Sequence, residues 1–333
     1  MTNIETLAAG PLFGLPLPEL WFTLVFFILG TFLFLDGFDF GAGALFATRD
    51  DDEERETILT AIGPFWDGNE VWLVVFGGAL FAAFPAVYAN LFSRHYLLMF
   101  AILGALILRG LAPEMYEQRH DEAWQRWWGR SFVVGSLAAP FLLGMFVANW
   151  LTGSPRTVTL PALVVGVAVV ALTVVSGTAF LRVKTRGALR DDLRRYGELG
   201  VVGYLVAVVV ALVALALASP RLLNGLLTAP VVALVVATVV LAGGYVWALR
   251  AGQNLLALVV SAVMTYGLVA VVALLLFPLV DPATDLSVAE AIVSTLPLNL
   301  MSIMAALLLP LVLTYFAVLY NTFSGPVQST DSY

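Results

Sequence analysis

Four carboxyl groups stand where hydrocarbon ought to exclude them. Asp36 and Asp39 lie in LDGFDFGAGALF, toward the end of the first long apolar run. Asp67 and Glu70 open the second, PFWDGNEVWLVVFGGALFAAFPAVYA. A charge inside a bilayer costs at least a few kcal/mol, so such a residue faces a protein interior, a partner or a water path. The chemistry that carboxyl groups there can do is to take up and release protons. Asp36 and Asp39 are three apart and share a helix face. Counted from Phe22, Asp39 lies about 25 Å along the axis at 1.5 Å per residue, close to the boundary of a core roughly 30 Å thick. Asp67-Gly-Asn-Glu70 also has the spacing of a capping box, with Asp67 accepting backbone N–H groups and Glu70 at the third position. Capping and proton relay are compatible, and both stand at this point.

Other residues bear on these acids. Arg109 ends a third apolar run. It is either an arginine snorkelling to the boundary or a charge partner that keeps one of the helix 1–2 carboxylates ionised. Gly37 and Gly41 form a GxxxG on a face different from that of the acids. They are expected to let helix 2 or a partner subunit approach helix 1 closely. Gly77 and Gly78, midway down helix 2, read as close packing. The two histidines, His95 and His120, fall at a helix start and in a loop, and both are expected at the surface.

Composition supplies the elements that must carry these groups. Of 333 residues 61% are hydrophobic and 12% charged, and several apolar runs reach about 20 residues, so the chain is an all-α integral membrane protein. With no Cys, disulfides, thiolate metal sites and Cys nucleophiles are excluded. The net charge of −7 argues against a nucleic-acid partner. No Lys or Arg precedes Arg49, so no basic region of a secretory signal is read there. About nine transmembrane helices are predicted, near 19–47, 69–91, 95–112, 130–151, 160–181, 199–218, 230–249, 255–280 and 297–322. Residues 1–333 form one transmembrane domain, with 19–151 carrying the motifs and 152–333 the remaining five helices. With the N-terminus outside, the loops and borders after helices 1, 3, 5 and 7 hold 13 of the 16 Lys and Arg residues, which places them in the cytoplasm. The C-terminus is then cytoplasmic. Trp124, Trp127 and Trp128 read as an interfacial belt, and the basic stretch 182–195 as a topology determinant that contacts lipid headgroups.

The two motifs above, with LILRGLAPEMYEQR (106–119), SFVVGSLAAPFLLGMFVANW (131–150) and more weakly LNLMSIMAALLLPLVLTYFAVLY (298–320), closely resemble subunit II of cytochrome bd-type quinol oxidases. The middle of the chain, 155–295, adds little to the match. The resemblance implies nine helices in two four-helix groups plus one extra helix. It implies a partner, subunit I, that carries the haems b and d and the quinol site and reduces oxygen to water. It also implies a prokaryotic plasma (inner) membrane location, small accessory subunits in some members, and in some members a structural quinone. This chain would be haem-free and not catalytic alone. Haem iron needs axial ligands, and the two His, seven Met and ten Tyr offer no paired set inside a helical bundle. No metal site is expected. By the same resemblance a cytoplasmic proton path uses the acids at Asp67 and Asp39, with Asp36 and Glu70 secondary, and an Arg stands at the position of Arg109. Two other roles compete: a purely structural scaffold for subunit I, and an independent proton-coupled transporter. The second would show paired repeats, and no acidic counterpart of helices 1–2 occurs in the second half.

Overall fold

A computed structural model describes residues 7–327. The chain is almost wholly helical, and each long helix starts and stops for local reasons. α1 (Leu17–Phe46) begins with Pro18 in its first turn, where the missing N–H would have no partner anyway. The short α2 (Asp52–Ile62) is capped by Asp51, which accepts from Glu53 N at 2.8 Å. Its first turn holds Asp52, Glu53 and Glu54, whose charge suits the positive end of the helix dipole. α3 (Trp66–Ala83) gives way at Phe84 to α4 (Pro85–Arg94), because a proline ring cannot continue the preceding helix. α5 (Tyr96–Glu117) and α6 (Glu122–Thr152) follow, the latter capped by Asp121 and closed by Gly153 at φ 64°. α7 (Leu160–Lys184), α8 (Gly187–Ala218), the short α9 (Pro220–Leu226), α10 (Ala229–Arg250) and α11 (Asn254–Leu276) complete the second half. A small antiparallel pair, β1 (Leu279–Asp281) with β2 (Leu286–Ser287), and the one-turn α12 (Val288–Ala291) lead into α13 (Thr295–Thr322). This pair is the one departure from the all-helical expectation among the described residues.

Among the described residues eight helices are long and apolar enough to cross a membrane. The predicted second crossing, 69–91, is instead the α3–α4 pair, broken at Pro85, and is not one of the eight. α3 nevertheless runs between the same two levels as α13. Asn69 near its start meets Tyr320, and Ala83 at its end accepts from Val293 N at 2.9 Å. The helices pack as two groups, α1 with α3–α6 and α7 with α8, α10 and α11, joined mainly where α1 and α6 lie on α7. α1 is the hub: 67% of its apolar window is buried within the chain, against 0% for α13. α13 stands outside both groups as the extra helix and is pinned near its two ends.

Small residues set the closest crossings. A Cβ on Gly177 would lie 2.6 Å from the Gly41 Cα, and one on Gly144 would lie 2.7 Å from the Gly166 Cα. Gly41 therefore serves the α1–α7 seam, not helix 2 or a partner as expected from its spacing, and Gly37 faces Thr173 and Ser176 of α7. Gly77 and Gly78 make no close packing within the chain: no atom would lie within 4 Å of a Cβ at either. Spacing identifies a helix face, and it does not identify which neighbour the face meets.

The end of the bundle that carries Arg49, Arg55, Arg119, Arg126 and Arg182 is called the basic end here. There Arg49 bonds Glu54 and Asp192 at 3.4 and 2.7 Å, tying the exit of α1 to α8. Lys184 Nζ donates to the Phe323 and Gly325 carbonyls, which holds the chain after α13 against the end of α7.

A buried carboxylate cluster as the candidate functional site

Asp36 and Asp39 both face inward from α1 and are fully buried. Their charge partner comes from α5. Arg109, 1% exposed, places Nη2 2.7 Å from Asp36 Oδ1 and 3.4 Å from Asp39 Oδ2, and Nη1 3.3 Å from Glu70 Oε2 on α3. Its guanidinium also lies over the rings of Phe40 and Trp66, each centroid 5.3 Å away. An arginine can make these contacts together because its planar fork offers five donors in fixed directions. The backbone permits the approach: Gly135 of α6 abuts α5 so closely that a Cβ there would lie 2.6 Å from Arg109 N. Arg109 is therefore the internal partner of the acids and not a boundary snorkeller.

A second set of bonds fixes Asp39. Asn69 on α3 is fully buried and donates from Nδ2 to Asp39 Oδ2 at 2.8 Å and to the Leu35 carbonyl at 3.2 Å. Its Oδ1 accepts from the Tyr320 hydroxyl on α13 at 2.8 Å. Four helices, α1, α3, α5 and α13, thus converge on one cluster. Three carboxyl groups share one guanidinium, so the acids outnumber the charge available to balance them. Neighbouring carboxylates repel strongly where the surroundings are of low dielectric. Asp36 Oδ2 and Asp39 Oδ1 have no hydrogen-bond partner among the described residues.

The acids form a gradient of access at the basic end. Asp67 is exposed in the first turn of α3, Glu70 has 31% side-chain exposure, and Asp36 and Asp39 are enclosed. The capping box is not formed. The residue before the helix is Phe65, without a side-chain cap, and Asp67 already lies inside the first turn. Pro64 and Phe65 carry the chain directly into the helix, and Glu70 is turned to Arg109 and away from the backbone. The group that contacts the buried set from outside is therefore Glu70. Asp67 stands one turn further out.

Two features lay beyond sequence reasoning. Tyr320 joins the cluster from a residue 251 positions beyond Asn69. A lone tyrosine near a helix end ordinarily signals an interfacial anchor, and only the polar face of the opposing helix could have pointed elsewhere. His95, expected at the surface, is 2% exposed, and neither ring nitrogen has a hydrogen-bond partner among the described residues. His95 sits at the junction of α4 and α5, edge-on to Phe146 of α6. His120 is exposed as expected.

At the end of the bundle away from the basic end, Asp281 of β1 is fully buried against Arg94, with bonds of 3.1 and 3.2 Å, and accepts from Thr284 at 2.8 Å. Burial pushes its carboxyl up, but the bonds from Arg94 and Thr284 together with the Arg94 charge outweigh this. They hold it below the ordinary carboxylate value. A separate cavity of about 340 Å³ lies between the helices, bounded by Phe32, Phe76, Phe92, Phe146, Val169 and Leu268 among others. Its wall is almost entirely hydrocarbon and aromatic ring, which suits an acyl or isoprenoid chain. Tyr88 is the one residue of its lining with a polar side chain among the described residues. Among the described residues no group of three or more His, Cys, Asp or Glu could hold a metal ion.

Comparison with known proteins gives one consistent match. The family profile described as "Cytochrome bd terminal oxidase subunit II" fits residues 17–323. The "Cytochrome bd ubiquinol oxidase subunit 2" of Bacillus subtilis (strain 168) is 33% identical over 319 residues, covering 89% of this chain and 93% of that protein. The "Cytochrome bd-I ubiquinol oxidase subunit 2" of Escherichia coli (strain K12) is 28% identical over 369 residues, covering 94% and 95%. A chain of the bd oxidase structure from Geobacillus thermodenitrificans superposes with a TM-score of 0.76 over 92% of this chain and 99% of that one. At 16% identity this last match speaks for the fold alone.

Proposed function

Because the chain belongs to the cytochrome bd terminal oxidase subunit II family, we propose that it pairs with a haem-bearing subunit I and admits protons from the cytoplasm for the reduction of oxygen to water. It is a subunit of an oxidoreductase complex, a cytochrome bd ubiquinol oxidase. The haems b and d, the quinol site and the oxygen chemistry belong to the partner. A multi-pass location in a prokaryotic plasma membrane follows, with the basic end in the cytoplasm and the N-terminus outside. Bound lipid and small accessory subunits are compatible with the exposed apolar faces. The apolar cavity would take the tail of a lipid or of a structural quinone.

The observation that carries the proton role is the graded access of the acids at the basic end. Asp67 meets water, Glu70 passes to Arg109, and Asp36 and Asp39 lie behind it. Asp67 collects protons from the cytoplasm. Glu70 and the Asp36–Asp39 pair hold them inside the bundle, on the way to the oxygen-reducing haem of subunit I. Arg109 keeps the buried acids from repelling one another apart. A purely structural brace is the competing role, favoured by the way Arg109 engages all three inner acids. The two roles differ in one experiment on the intact oxidase. Asp67→Asn, alone and with Asp39→Asn, preserves shape and cannot exchange a proton. Proton transfer requires wild-type assembly and haem content with slowed quinol oxidation and proton uptake. Wild-type rates in the double variant would leave the brace as the function.

A further inference from the structure

The geometry points to Tyr320 as a positioning residue for Asp39, acting through the side-chain amide of Asn69. The Tyr320 ring is fixed independently of its hydroxyl. It stacks on Phe65 with centroids 4.6 Å apart, lies edge-on to Phe38 at 6.4 Å and is flanked by Phe316. The hydroxyl donates to Asn69 Oδ1, which commits both Nδ2 protons to the other side, one to Leu35 O and one to Asp39 Oδ2. An amide with its oxygen capped is a stronger donor at its nitrogen, since successive hydrogen bonds polarise one another. Asn69 is fully buried, so without the phenol its oxygen would stand unpartnered and the amide would lose its reason to hold one orientation. Asp39 would then lose the donor that fixes which of its oxygens points toward Arg109.

The consequence reaches further than one side chain, because α13 touches the rest of the chain at few points. Near its start Asn299 donates to the Leu7 and Gly10 carbonyls and accepts from Leu12 N, while Ser302 accepts from Trp21 Nε1. Near its end Phe316 packs on Trp72 and Tyr320 bonds Asn69. Between these anchors Ala305 and Leu309 pack on the core and the other side chains are largely exposed. The hydrogen bond that links α13 to the buried carboxyl cluster is the one from the Tyr320 hydroxyl.

Its effect on turnover rests on the proton-uptake role proposed above, whereas its effect on Asp39 does not. The test uses the intact two-subunit oxidase. Tyr320→Phe keeps the ring and removes the donor, Asn69→Ala removes the amide, and Tyr315→Phe, at an exposed position on the same helix, is the control. Infrared bands of Asp39 are isolated as the difference between wild-type and Asp39→Asn oxidase carrying ¹³C-labelled aspartate. Those bands are expected to shift in Tyr320→Phe and in Asn69→Ala, with no further shift when the two are combined, and to stay in place in Tyr315→Phe. In the same preparations kcat is expected to fall roughly fivefold in Tyr320→Phe, the effect of losing about one hydrogen bond, with KM for quinol unchanged. Asp39 bands that do not move in Tyr320→Phe would overturn the inference, as would shifts that add in the double variant. Moved bands with wild-type turnover in Asp39→Asn would sustain the positioning and overturn only the proton-uptake role.

Discussion

Arg109→Gln is the perturbation with the largest calculable consequence. The guanidinium lies 2.7 Å from Asp36, 3.4 Å from Asp39 and 3.3 Å from Glu70. The first two contacts are closed to solvent, and the third is partly screened because Glu70 is 31% exposed. Two unit charges 4 Å apart attract by about 4 kcal/mol at an effective dielectric near 20, and breaking a buried pair by removing one partner costs about 3–5 kcal/mol. Glutamine offers a neutral donor and leaves three carboxyl groups facing one another. The expected loss is therefore about 3–5 kcal/mol, or on the order of 10 °C in the apparent Tm of the solubilised oxidase. Arg109→Lys keeps the charge but not the fork, and falls between the two. The assay is thermal unfolding of the purified complex, with haem content and subunit ratio measured alongside. Asp36→Asn in the Arg109→Gln background should restore part of the loss, because it removes one of the uncompensated charges. An Arg109→Gln oxidase with wild-type Tm, or a double variant no better than the single, would refute the ion-pair account of this cluster.

Gly41→Leu should abolish assembly, since its side chain would have to occupy the Thr173 carbonyl and the Gly177 backbone. Gly78→Leu should leave the fold of the chain intact, because no atom lies within 4 Å of a Cβ there. Yield and Tm of the two variants make the comparison. Asp281→Asn removes the charge opposite Arg94 and should lower stability by about 2–4 kcal/mol, less than a fully buried pair because Arg94 retains some exposure. Asp281 has a folded-state value below its unfolded one. Its contribution is therefore present above the ordinary aspartate value near 3.9 and is lost as pH falls through the lower folded value. Between those two values the stability of wild-type oxidase should fall with acidification more steeply than that of Asp281→Asn, as read by unfolding at graded pH.

The acids and Arg109 were legible because an ionised group inside an apolar run is conspicuous whatever the fold. The same logic reached the helices and the basic end. Partnerships across the bundle were not legible in that way. Gly37 and Gly41 define a face by their spacing, yet the neighbour on that face comes from α7, more than a hundred residues on. Gly77 and Gly78 have the composition of a packed seam and face open space within the chain. Asp67 and Glu70 have capping-box spacing, but the aromatic Phe65 occupies the cap position and Glu70 finds a stronger partner in Arg109. The burial of His95 rests on packing against Phe146 of α6, a neighbour that the local sequence does not name.

The ion pair at the centre of the molecule also imposes an order on its biogenesis. Asp36 is made 73 residues before Arg109. α1 therefore meets the insertion machinery with Asp36 and Asp39 in its trailing half and no internal counter-charge. An acid at mid-membrane costs about 2.5–3.5 kcal/mol on insertion and less toward the boundary, and the apolar stretch from Leu20 to Leu35 must offset that cost. Asp36 and Asp39 lie in the trailing half of α1, so during synthesis they can wait near the boundary at the basic end. They gain their counter-charge once α5 delivers the arginine. Enclosure is completed later, when α7 and α13 pack around the cluster. A ribosome stalled before Arg109 leaves the translocon holding an intermediate whose two acids still keep to the water side.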